Sequence, residues 1–86
     1  MSFINVGFGN LINASKVVAI VSADSAPAKR QLQKTREEGL LVDATSGRRT
    51  KSLIVTDCDK YIASALTPET LLLRLDSSVS GGLEDE

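Results

Sequence analysis

Histidine and tryptophan are absent from this 86-residue chain, and the aromatic side chains are Tyr61, Phe3 and Phe8 alone. Without histidine, the commonest general base and the commonest metal ligand are both missing. With so few rings there is no stacking platform for single-stranded nucleic acid, and the core has to be aliphatic. A single cysteine, Cys58, excludes a disulfide framework and suits a reduced, cytosolic setting. It has no partner at CxxC spacing and no histidine to activate it, so it does not read as a nucleophile. Long apolar runs are also missing. The longest, Val17 to Val21, falls far short of a membrane span, and the N-terminus lacks the charged-then-apolar pattern of a leader. A small, soluble, intracellular domain of non-enzymatic character is expected, with no cofactor.

Charge is unevenly spread. Residues 1–75 hold all ten Lys and Arg against seven acids, whereas residues 76–86 hold four acids and no cation. The near-neutral total therefore hides a mildly basic domain followed by a short acidic segment. That segment, Asp76-Ser-Ser-Val-Ser-Gly-Gly-Leu-Glu-Asp-Glu86, has the composition of a disordered tail. The expected division is a domain over 1–75 and a tail over 76–86.

Phe3 to Val6 reads as a short strand. Gly7-Phe8-Gly9-Asn10 lacks the third glycine and the helix of a dinucleotide fingerprint, leaving a bend, a bulge or a close approach of two backbones. Leu11 and Ile12 form a second extended piece, closed by a turn at Asn13-Ala14-Ser15. In the strand Lys16 to Ser22, alternation puts Val17, Ala19 and Val21 on one face and Val18 and Ile20 on the other, so both faces are apolar. A helix over Ala26 to Glu38 follows. Asp24 or Ser25 caps it, Pro27 lies in its first turn and Gly39 ends it. Its apolar stripe is narrow (Ala28, Leu32 and Thr35), a thin cover for such a strand. Contacts between subunits are therefore expected to complete the burial. Leu40 to Thr45, Lys51 to Thr56 and Lys60 to Leu66 read as an antiparallel meander, with Asp57-Cys58-Asp59 as its second turn. Thr67 caps a last helix that opens at Pro68, and its Leu71, Leu72, Leu73 and Leu75 are apolar over more than one face. The fold class is α+β, a small antiparallel sheet with two helices.

The stretch Ser46-Gly47-Arg48-Arg49-Thr50-Lys51-Ser52 gathers three cations in four residues between two short apolar runs. Ser-Gly is a turn signal, so the stretch reads as a hairpin carrying a guanidinium pair at the start of its second strand. Guanidinium is planar, always charged and matched to phosphate. Such a cluster also serves as a solvated turn that keeps a sheet edge from aggregating. The cations Lys29, Arg30, Lys34 and Arg36 of the helix over Ala26 to Glu38 suit either a solvated face or a phosphate backbone.

Asp43-Ala-Thr-Ser-Gly-Arg-Arg-Thr-Lys51 resembles the signature of the RemA family of small bacterial extracellular-matrix regulators. Asn5-Val-Gly-Phe-Gly-Asn-Leu-Ile-Asn-Ala-Ser-Lys16, Val21-Ser-Ala-Asp-Ser-Ala-Pro-Ala-Lys-Arg30 and Leu66-Thr-Pro-Glu-Thr70 are similar to further segments of that family, in the same order, over about residues 3 to 75. The resemblance implies a LytTR-related domain that assembles into a ring-shaped homo-oligomer. It also implies a transcriptional activator of biofilm-matrix genes that contacts double-stranded DNA. The implied contacts fall on Lys16, Arg48 and Arg49, with Lys51 completing the cluster. The family commonly has Arg where Lys16 stands, so the charge is kept and the bidentate fork is lost.

Two rival readings belong to other classes. One is a ring-forming scaffold whose cations serve subunit interfaces. The other is a metal-dependent enzyme using Asp43, Asp57 and Asp59, although turn aspartates more commonly bond their own backbone.

Overall fold

Leu53, Ile54 and Val55 are apolar in succession, the mark of a strand covered on both faces. In the computed structural model they form the middle of the protein. The structure describes residues 2–84, with side chains through Asp76. In chain order the elements are β1 (Phe3–Asn5), β2 (Leu11–Asn13), a 3-10 turn (Ala14–Lys16), β3 (Val17–Ser22), α1 (Ala26–Glu37), β4 (Leu41–Asp43), β5 (Ser52–Thr56), β6 (Tyr61–Ser64) and α2 (Pro68–Glu84). The chain is a small α+β domain with two helices, a two-stranded sheet β1-β2 and a four-stranded sheet in the order β3-β5-β6-β4.

The expected meander is corrected in one essential respect. β5 and β6 form the antiparallel hairpin across Asp57-Cys58-Asp59, but β4 pairs with β6, and in parallel. β4 and β5 are therefore not neighbours, and the stretch Ser46 to Lys51 is a connection that crosses the sheet, not a hairpin turn. Nor do the arginines open a strand, because β5 begins at Ser52. Of the alternatives at Gly7-Phe8-Gly9 the structure has the bend, which forms the tip of the β1-β2 hairpin: the N–H of Val6 donates to the carbonyl of Asn10 at 2.8 Å.

The sheet has an apolar layer on each face. On one side Leu32 of α1 packs with Ala23, Leu53 and Ala63, flanked by Leu41 and Tyr61. The three stripe positions Ala28, Leu32 and Thr35 are the buried residues of α1. Ser25 caps this helix, accepting from the N–H of Ala28 at 3.2 Å. Its end is a Schellman pair: the N–H of Gly39 donates to Arg36 and that of Leu40 to Thr35. On the other side Ile54 and Ile62 meet Ile4 and Val6 of the small hairpin, Ala44, and Leu71 of α2. Burying each of the Val, Leu and Ile side chains among these stabilises the fold by about 1.5–3 kcal/mol.

β3 departs from the alternation its sequence suggests. Val17 pairs with Thr56 and Ala19 with Val55, so Val18 is an extra residue in a bulge. Opposed residues share a face, which puts Val17 and Ile20 together over the Ile54 layer. β3 lies at the sheet edge, none of its residues is fully buried, and Val18 is 65% exposed. On α2, Leu71 is buried and Leu75 packs beside it, while Leu72 and Leu73 face outward. Thr67 caps α2 by accepting from the N–H of Thr70 at 3.2 Å. The helix continues to Glu84, into the stretch 76–86 read as an acidic tail; the side chains beyond Asp76 and residues 85 and 86 lie outside the described residues.

Candidate functional site

The cationic loop is built from fixed ends. At its start, Oδ1 of Asp43 accepts from the hydroxyl of Thr45 at 2.6 Å and from its N–H at 2.9 Å. The Thr45 hydroxyl, then the Thr45 N–H, hold the Asp43 carboxyl below the usual carboxylate range; its slight burial opposes them and the charge of Arg36 helps. Ser46 and Gly47 both have positive φ, 51° and 80°, and the N–H of Arg48 donates to Thr45 at 2.9 Å. Two left-handed residues in succession are what a type I′ turn requires, and glycine takes the second without strain. At its other end, Lys51 is tied by its N–H to Ser64 and by its carbonyl to the N–H of Ala23. Ser46 to Arg49 are exposed between these anchors.

The two guanidinium groups diverge. Arg48 lies over the ring of Phe8, its Cζ 5.6 Å from the centroid, a contact worth about 0.5–1 kcal/mol at an exposed site. Arg49 reaches the other way, and its Nη2 donates to Oδ1 of Asp24 at 3.2 Å. Both partners are about three-quarters exposed (77% and 75%), so the pair is screened and adds little stability. Arg48, Arg49 and Lys51 share a cleft of about 290 Å³ with Phe8, Ala65 and Leu66.

Lys16 is not part of this cluster within one chain. Ser22 of β3 pairs with Ser52 beside the loop, whereas Val17 pairs with Thr56 at the far end. Lys16 precedes Val17, so it stands about 16 Å away, five strand residues along the sheet. Its carbonyl accepts from the N–H of Asp57 at 3.0 Å, and its side chain is exposed. On the opposite flank, Lys29 and Arg36 of α1 line a groove with Thr50, alongside Gln33 and Glu37.

Two residues beside the cations were not singled out as partners from the sequence. Phe8 lay in a stretch read for its backbone, although one of only two phenylalanines between two glycines was the available signal. Asp24 precedes the helix cap, a role that Ser25 fills. Among the described residues, no three acidic or sulfur side chains come together as a metal site. Asp43, one member of the proposed aspartate trio, is committed to Thr45. Cys58 is free and exposed.

A second feature is apolar. Val17, Val18, Ala19 and Ile20 of β3 and Pro68, Leu72 and Leu75 of α2, with Glu69 as the one charged residue, line an open groove of about 420 Å³. No helix among the described residues is long and apolar enough to cross a membrane.

Frame and loop together define a small α+β domain organised around an exposed cationic connection, with an apolar groove at the sheet edge. Residues 3–75 match the family described as extracellular matrix regulatory protein A-like, and the chain belongs to this RemA-like family. It is 57% identical over 77 residues to a protein of Alkaliphilus metalliredigens, covering 90% of this chain and 83% of that one. It is 52% identical over 84 residues to a protein of Acetivibrio thermocellus, covering 98% and 90%. A Heliobacterium modesticaldum protein is 51% identical over 86 residues, covering 100% and 94%. Each of the three is named as a candidate regulatory protein.

Proposed function

We propose that the protein is a cytoplasmic, DNA-binding transcriptional regulator of matrix-type genes that works as a ring-shaped homo-oligomer. In this reading Arg48, Arg49, Lys51 and Lys16 meet duplex phosphate. The observation that carries it is the loop itself. Two arginines and a lysine stand exposed on a connection anchored at both ends, and among the described residues Arg49 alone of the three has a carboxylate partner. Exposed, pre-positioned cations of this kind are what phosphate contacts use. Membership of a family described as regulatory supports the same reading. Assembly is supported by the apolar groove along β3 and α2 and by the incomplete burial of β3, both of which a second copy would cover. Repetition around a ring also answers the separation of Lys16 from the loop, because neighbouring copies present both along one duplex path. The test is a fluorescence-anisotropy titration of duplex DNA with the wild-type protein and with Arg48→Ala and Arg49→Ala. Each variant should lose at least about tenfold in affinity while keeping its assembly state, since a surface change is usually worth within about 0.5 kcal/mol of stability. Variants that fall to monomers would instead put the cations at subunit interfaces, as in a scaffold.

A further inference from the structure

The hairpin tip Gly7-Phe8-Gly9 is held in a conformation that a bulky residue rarely adopts. Phe8 has φ 54°, between Gly7 at 117° and Gly9 at 77°. A left-handed bulky side chain is an outlier that persists only where its surroundings over-determine it. They do so here. The N–H of Gly7 donates to Oδ1 of Asn5 at 2.7 Å, and Asn10 returns both its Nδ2 and its N–H to the Gly7 carbonyl, at 2.7 and 3.0 Å. The hairpin is bolted to the main sheet by the buried hydroxyl of Ser64, which donates to the Val6 carbonyl at 2.8 Å. The result is a rigid tip that presents an aromatic ring 52% exposed beside three cations. Core packing does not account for this ring, which lies outside both apolar clusters.

We propose that Phe8 is a DNA-contacting residue: its ring fixes the Arg48 guanidinium against one face and lays its free edge on the deoxyribose wall of the duplex beside the phosphate that Arg48 holds. This rests on the DNA-binding reading above and adds an uncharged contact to it. The ring supplies apolar surface where sugars present C–H groups, and it keeps the arginine fork from searching rotamers before it meets phosphate. Asp24 performs no equivalent service for Arg49, since a carboxylate beside the phosphate path repels it.

The test compares wild type with Phe8→Gly and Phe8→Ala. Phe8→Gly removes the ring and also relieves the left-handed backbone, so its thermal midpoint should be unchanged or higher. Affinity for a labelled duplex should nevertheless fall about tenfold in both variants. Because no charge is lost, the slope of log affinity against log salt should stay at the wild-type value, whereas Arg48→Ala should make it shallower by about 0.9 for each contact removed. Wild-type affinity in both Phe8 variants would overturn the proposal. So would a loss of affinity accompanied by loss of stability or of assembly, which would make the ring structural. Failure of the wild-type protein to bind duplex would overturn the DNA reading itself, and the Phe8 contact with it.

Discussion

Arg48 and Arg49 are adjacent in the chain and part company in space, one over a ring and the other against a carboxylate. The two should therefore not be equivalent. Removing Asp24 frees Arg49 and leaves Arg48 as it was. Lys16 tests charge against geometry: Lys16→Ala should weaken duplex binding, while Lys16→Arg should be neutral or better, because it restores a bidentate fork. Asp43 makes a different prediction. Its folded pKa is depressed by the Thr45 hydrogen bonds, so its contribution to stability is complete above the unfolded value near 3.9 and is lost as pH falls through the lower folded value. Asp43→Asn should cost up to about 1 kcal/mol at neutral pH, since the group is largely exposed. Thermal unfolding should show that gap closing as pH falls through the lowered folded value; a gap independent of pH would contradict the assignment. At this scale the sequence was readable where one residue has one job. Gly39 and Thr67 occupy cap positions named from type and spacing alone, and Ser25 is the cap out of the two candidates Asp24 and Ser25. It was opaque where a residue acts across the fold: Phe8 meets Arg48 because Ile4, Val6 and the Ser64 hydroxyl hold one sheet on the other.

Among the elements, α1 was the easiest to read, because a helix stripe is a local pattern and Ala28, Leu32 and Thr35 obey it. Strand order was not readable in the same way. Two short apolar runs joined by Ser-Gly suggest a hairpin, and only the insertion of β5 between β3 and β6 pushes β4 to the outer edge in parallel pairing. One signal was available: Leu53, Ile54 and Val55 are apolar on both faces, as befits an interior strand. The similar pattern in β3 has another cause. β3 is an edge strand, its alternation is reset by the bulge at Val18, and its residues remain partly open. The groove between β3 and α2 turns this into a prediction. Leu72 is 56% exposed on that groove, whereas Leu71, its neighbour, is fully buried. Leu71→Ala should destabilise the fold by about 2–5 kcal/mol. Leu72→Asp should leave the fold intact and shift light scattering toward smaller species, because it places a charge in the groove proposed as the subunit interface. A Leu72→Asp protein that assembles as wild type would remove this groove from the subunit interface.

At the scale of the whole molecule, one copy offers a handful of cations in two separate places, too few for a strong hold on DNA. The proposed ring would repeat them at fixed spacing, and tethered contacts add through effective concentration without new chemistry. A duplex bound to the proposed ring would have to follow its curve to reach them, at a bending cost of order 1–6 kcal/mol for 40–90° over 20–30 base pairs. Short duplexes meet few copies and bend little; long ones meet many. The measurement that tests this most directly is an anisotropy titration of wild-type protein with duplexes from about one to ten helical turns, at two salt concentrations. The account predicts affinity that climbs with length until the available arc is covered, and a fall with salt that is steeper for long duplexes than for short. Tight binding to a single short site, with no dependence on length, would contradict it.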